Sequence, residues 1–214
     1  MLYIDKTREP YELLEWRMTQ KNLGANFGYD DMPGNIKSVL KSSLLQEQFY
    51  LCGYTGLRIL EEKCHIEHLI PRSVSINAGR IEETTNYRNL IACDNSSEFG
   101  AVFKGNWPSD NEAQDFLMPT DSTCQDRINY LNTGKVEANN PNDVPPRITI
   151  EKLNLNHKDL VKNRKDSFLN LFADISPKDY KRYIRKRIEK LQNKSSGQLE
   201  EFSLAKIQFL KRKQ

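Results

Sequence analysis

The chain has 214 residues, 29% charged and 37% hydrophobic, with a formal net charge of +3 at pH 7. That length can bury a real core, either in one domain or in a small catalytic module with helical additions, and no apolar run approaches the ~18 residues of a membrane-crossing helix. Four cysteines at irregular positions make no disulfide framework, and Met1-Leu2-Tyr3-Ile4-Asp5-Lys6 lacks the charged start and apolar core of a secretory signal, so a soluble, reduced, cytoplasmic protein with no membrane partner is expected.

In chain order, residues 1–48 read as a helical packing region. Pro10 opens a helix carrying Leu13, Leu14 and Trp16, and Pro33-Gly34 precedes a second with Ile36, Val39, Leu40, Leu44 and Leu45 at helical spacing. The texture then changes. Phe49-Tyr50-Leu51-Cys52 and Leu57-Arg58-Ile59-Leu60 flank the turn signal Gly53-Tyr54-Thr55-Gly56, which predicts short strands around a knuckle before Ile70. Residues 96–111 show no clear period, and Lys104-Gly105-Asn106-Trp107-Pro108 reads as a helix end or a loop. A hairpin is expected at Arg127–Leu131, turning at Asn132-Thr133-Gly134 into Lys135-Val136-Glu137.

The stretch Asn139–Pro146 is rich in Asn and Pro and is the best linker candidate, separating a middle region of residues 49–138 from a helical region of residues 147–214. In the latter, His157–Ile175 has helical spacing, and Pro177 starts a helix with the seam Tyr180, Ile184, Ile188 and Leu191. A last helix carries Leu199, Phe202, Ala205 and Phe209. No internal repeat is evident. The basic charge gathers at this end, with Lys178, Lys181, Arg182, Arg185, Lys186, Arg187, Lys190 and Lys194 against only Asp179 and Glu189. Lys181, Arg182, Arg185 and Lys186 form basic rows at helical spacing. An outward basic face is ordinarily solvated surface, but these rows also suit phosphate contact that adds affinity without sequence choice, or docking to an acidic partner.

The chemistry concentrates in Cys64-His65-Ile66-Glu67-His68-Leu69-Ile70-Pro71-Arg72-Ser73, which holds two of the three histidines around a carboxylate. Phosphodiester cleavage needs a base to deprotonate water and a cation to neutralise the phosphate and the leaving oxygen. A histidine, with an ordinary pKa near ~6.5, suits the first task. A carboxylate holding a hard divalent ion suits the second.

Glu67-His68-Leu69-Ile70-Pro71 followed by Asn89-Leu90 resembles the motif of HNH nucleases. The resemblance implies an α+β fold, an HNH (ββα-metal) core in residues 49–138 with helical extensions at both ends, and a metal-dependent endonuclease. It gives His68 the general-base role, Asn89 the loop-tying role that orients His68, and Glu67 a metal-ligand role, with Mg2+ or Mn2+ as the cofactor. The third motif position departs from the pattern. Asn95 is the candidate ligand, with Glu98, Asp94 and Asn106 behind it, and Lys104-Gly105 marks the motif's end.

Relatives often hold a structural zinc on two cysteine pairs. Thr55 stands where one second cysteine would fall and Cys93 has no pair, so structural zinc is not expected, with a set of Cys52, Cys64, Cys93 and His65 as the alternative. The order of Cys52–Gly56, Cys64–His68, Asn89–Cys93, Thr123–Arg127 and Leu153–His157, with Leu160 and Arg164, is similar to the PtuB type found in Septu and certain retron anti-phage systems. Over residues 50–170 this resemblance implies a PtuA-type ABC-family ATPase as partner, with a reverse transcriptase and its RNA–DNA product in retron versions.

Other readings stand beside it. A catalytically silent HNH-derived adaptor binding nucleic acid or the ATPase is one, and a stand-alone restriction-type nuclease is another. His65 fits either a nucleic-acid contact or a plain hydrogen-bonded role, since strand side chains alternate. Lys104 joins the nucleic-acid-binding candidates with Lys181, Arg182, Arg185 and Lys186. His157 reads as structural at a helix start, and Cys124 as packed in a turn. DNA and RNA are not distinguished by any of these residues.

Overall fold

The computed structural model describes residues 1–6, 8–172 and 180–214. The architecture is α+β: helices α1 (Tyr11–Asn22) and α2 (Gly34–Glu47), strand β1 (Cys64–His68), helix α3 (Arg72–Asn77), strand β2 (Leu90–Asp94) and helix α4 (Gly100–Lys104) come first. Strands β3 (Ile128–Tyr130) and β4 (Val136–Ala138) follow, then helices α5 (Val144–Lys152), α6 (Lys158–Leu169), α7 (Tyr180–Gln192) and α8 (Ser203–Lys211). Two antiparallel pairs, β1–β2 and β3–β4, make the sheets described.

Both proline-led helices form where the spacing predicts, and α2 buries Ile36, Leu40, Leu44 and Leu45. The knuckle after α2 is present, but its flanks do not become strands. Phe49 and Tyr50 adopt positive φ, and only Leu51 and Arg58 form a ladder bridge. Tyr54 and Ile59 there enter the main core, with Tyr50 and Leu57 packed against it. Gln48 does what a third strand would do, its carboxamide accepting from the Ala92 N–H at 2.6 Å and donating to the Ala92 carbonyl at 2.8 Å. In the β1–β2 register Cys64 faces Asp94, His65 faces Cys93, Glu67 faces Ile91 and His68 faces Leu90.

The Asn-Pro stretch is a tight turn into a helix and not a flexible linker. Arg127 grips Asp143 through Nε at 2.8 Å and Nη2 at 2.7 Å, and Pro145 and Pro146 lie in the first turn of α5. A helix has no partner for its first N–H groups, so prolines fit there without loss. The residues at the end of the recurring motif order are structural. Asn156 brackets Val136 with two hydrogen bonds of 2.8 Å, and buried Arg164 donates to the Gly134 carbonyl at 2.7 Å. Gly134 is at φ +86°, with the Val161 carbonyl only 2.2 Å from where a Cβ would stand, so the hairpin can lie this close to α6 only with glycine.

One core draws on Met1, Leu13, Leu40, Tyr54, Leu90, Tyr130, Leu153 and Phe202, so the N-terminal, middle and C-terminal segments share it. A smaller cluster joins Leu171, Ile184, Ile188 and Leu191 to Ile207 and Leu210. The seam expected of α7 is thus buried at Ile184, Ile188 and Leu191, while Ile175 and Pro177 lie outside the described residues. The last helix begins at Ser203, after Phe202 at φ +55°, and not at Leu199. His157 precedes α6, its ring accepting from the Asp159 N–H, and Cys124 is buried. No helix among the described residues is long and apolar enough to cross a membrane.

Candidate active site

A cleft of about 450 Å³ opens beside β1, and His65, Ile66, Glu67 and His68 all line it. Successive strand residues point to opposite faces. Four in a row reach one cleft only if it lies along the strand's unpaired edge, with β2 on the other. Tyr29, Asp30, Arg72, Ser73, Ile76 and Asn106 also line the cleft.

His68 ends β1 and is 6% exposed. Its Nε2 lies 2.8 Å from the Thr84 carbonyl oxygen. A carbonyl only accepts, so Nε2 carries the hydrogen and Nδ1 keeps the lone pair. Tyr29 stands edge-on to the imidazole with ring centres 4.8 Å apart. Burial pushes the His68 pKa down to about 4, against the Thr84 carbonyl and the Glu67 charge, which favour protonation. The backbone beyond it is pinned from two sides. Asn89 accepts from the Ile70 N–H at 2.8 Å and donates to the Ile70 carbonyl at 3.0 Å, and the Lys104 ammonium donates to the carbonyls of His68, Leu69 and Trp107.

Glu67 has two differently occupied oxygens. Oε1 lies 2.9 Å from Lys104 Nζ and 3.4 Å from the buried Tyr54 hydroxyl, and Oε2 lies 3.8 Å from His65 Nε2. Burial alone would raise the Glu67 pKa, but pairing with His65 and Lys104 outweighs it and holds the carboxyl below its ordinary value. His65 is shifted the other way, raised chiefly by its pairing with Glu67 despite partial burial.

Two of the expected roles change. Asn95 does not point at Glu67: its Oδ1 is 2.7 Å from His65 Nδ1, so it orients the imidazole, and the ring nitrogen facing Glu67 belongs to His65. Lys104 does not face solvent. Its side chain is 1% exposed and all three ammonium hydrogens find partners inside the protein. Lys181, Arg182, Arg185 and Lys186 are exposed on α7 and line no part of the cleft.

Sequence reasoning missed Tyr29, Asp30 and Arg72. Arg72 follows Pro71 directly and was visible in the motif run. Tyr29 and Asp30 carry no local signal, since only tertiary packing brings their turn against β1. Among the described residues no group of three His, Cys, Asp or Glu side chains converges on a metal position.

The arrangement holds a neutral histidine with a free ring nitrogen beside an ionised carboxylate in an open polar cleft. No protein-family model matches the chain, and no curated protein matches it.

Proposed function

We propose that this cleft hydrolyses phosphodiester bonds of nucleic acid with one divalent cation, in the manner of an HNH endonuclease. The observation that carries the reading is His68, whose Nε2–H is committed to Thr84, which leaves Nδ1 with its lone pair in a residue that lines the cleft together with Glu67. The antiparallel pair β1–β2, with α3 in its connection, followed by the short helix α4 suits a ββα-metal core, and the Asn89 bracket around Ile70 suits its loop-tying role.

His68 would accept the proton of the attacking water at Nδ1, with Thr84 fixing the tautomer and Tyr29 the ring plane. Lys104 balances Glu67 through Oε1 and leaves Oε2 toward the cleft. The residues that would hold the cation are Glu67 through Oε2 and His65 through Nε2, 3.8 Å apart and steadied by Asn95. Two protein ligands fit Mg2+ or Mn2+, which commonly complete their shell with water and substrate phosphate. The cation supplies neutralisation of charge on the phosphate and the leaving oxygen. An imidazole in the set favours Mn2+ over Mg2+.

In the same reading the protein is the effector of an anti-phage complex with a PtuA-type ATPase, supported by the order of motifs from Cys52 to Arg164. One observation favours the silent-adaptor reading. Lys104 already neutralises Glu67, and no third acidic, histidine or cysteine ligand joins it among the described residues. A titration with Mg2+ and Mn2+ on duplex DNA and on structured RNA, with and without the ATPase, separates the two. Cleavage that EDTA stops and His68→Ala removes is the expected outcome. If neither nucleic acid is cut under any of these conditions, the adaptor reading takes its place.

A further inference from the structure

Arg72 stands at the mouth of the same cleft. Its guanidinium carbon is 5.3 Å from the centre of the Tyr29 ring, the ring that also packs edge-on against His68. One aromatic side chain therefore fixes a permanent cation beside the imidazole. The guanidinium bonds through Nη1 to the Asp30 carboxylate, and both groups are open to solvent, Arg72 at 42% and Asp30 at 79% side-chain exposure. An ion pair this exposed shifts an equilibrium by no more than about fivefold.

A carboxylate and a phosphodiester look alike to a guanidinium. Each offers two equivalent oxygens sharing one negative charge, which the planar fork of arginine matches with paired N–H donors. We propose that Arg72 is the contact for the substrate phosphodiester, and that Asp30 occupies that place until the substrate displaces it. The inference rests on the nuclease reading for its substrate class but not for its geometry. It also gives the Tyr29–Asp31 turn, whose Tyr29 and Asp30 line the cleft, a role in substrate entry.

Bis(p-nitrophenyl) phosphate is the probe, because a diester this small tests the cleft without engaging α7. Its binding to the full-length chain is followed by heteronuclear NMR in EDTA, and its hydrolysis in Mn2+ is followed separately. Arg72→Met is expected to weaken binding about tenfold or more, with Arg72→Lys falling between, since it keeps the charge and loses the fork. Asp30→Asn is expected to tighten binding by up to about fivefold, and to do nothing once Arg72 is Met.

The inference is overturned if the parent does not bind the diester, if Arg72→Met binds as the parent does, or if Asp30→Asn tightens binding equally in the Arg72→Met background, which would mark a general charge effect. Binding with this mutational pattern but no hydrolysis would sink the nuclease reading and leave the phosphate site standing. Hydrolysis indifferent to Arg72→Met would do the reverse.

Discussion

The cleft beside β1 and the basic face of α7 both carry charge, and they hold it in opposite ways. In the cleft, Glu67 is 13% exposed and Lys104 is 1% exposed, and every partner of the ammonium is a named protein atom. On α7, Lys181, Arg182, Arg185 and Lys186 are exposed, and among the described residues none of them is in an ion pair. Buried charges are costly unless satisfied, so they fix geometry. Exposed charges are cheap and mobile, so they add long-range attraction that salt screens. In the proposed reading, chemistry therefore belongs to the first kind of site and undirected affinity to the second.

The sharpest way to break this comparison is at His68. His68→Ala should lower single-turnover cleavage by about a hundredfold to ten-thousandfold, the usual range for a lost general base, while circular dichroism still reports a folded chain. A variant that cuts as fast as the parent would remove the cleft from the mechanism. Next in size is Lys104→Met, which takes from buried Glu67 its closest cation and leaves it His65 and the Tyr54 hydroxyl. It should cost about 3–5 kcal/mol in urea unfolding, and adding Glu67→Gln should recover much of that loss. Arg185→Met on α7 should stay within about 0.5 kcal/mol. Equal losses at the two positions would erase the distinction between the regions.

A third test uses pH. The pKa of His68 falls from 6.5 to about 4 on folding, so between those values the unfolded chain binds more protons. The contribution is complete above about pH 6.5 and is lost as the pH falls toward 4, amounting to roughly 3 kcal/mol. Urea melts in EDTA at pH 7.5 and pH 4.5 should therefore diverge more for the parent than for His68→Ala. Identical pH dependence in the two proteins would mean that His68 is not held neutral by burial.

The two regions were unequally legible in the sequence. The α7 face could be read directly, because helical spacing alone puts Ile184, Ile188 and Leu191 inward and the basic rows outward. The β1 residues of the cleft were also legible as a motif. What was hidden was how their partners divide the work. Asn95 looked like a ligand because it was the best candidate for the third position of the HNH motif, but its carboxamide lies against the Nδ1 of His65. Lys104, read as the end of the motif with Gly105, was expected among the nucleic-acid contacts, although an unpaired lysine is almost never buried. Its burial follows from α4 ending beneath the His68–Leu69 backbone, a tertiary fact with no local signature. Pro145 and Pro146 misled for a related reason, since proline breaks a helix in its interior yet starts one at its first turn.

The smallest expected effect lies on α7 and decides what that helix is for. Replacing Lys181, Arg182, Arg185 and Lys186 with Ala removes exposed charge and leaves the buried seam intact, so the fold should hold. If the face tracks a phosphate backbone, duplex binding should weaken about tenfold at moderate salt, and the slope of log affinity against log salt should fall in magnitude by about three. Hydrolysis of the small diester should match the parent, because none of the four residues lines the cleft. An unchanged salt slope combined with lost association to the ATPase would assign the rows to an acidic partner surface instead. Both results keep the proposed division of labour between a site that reacts and a face that attracts, and only a loss of small-diester hydrolysis would join the two.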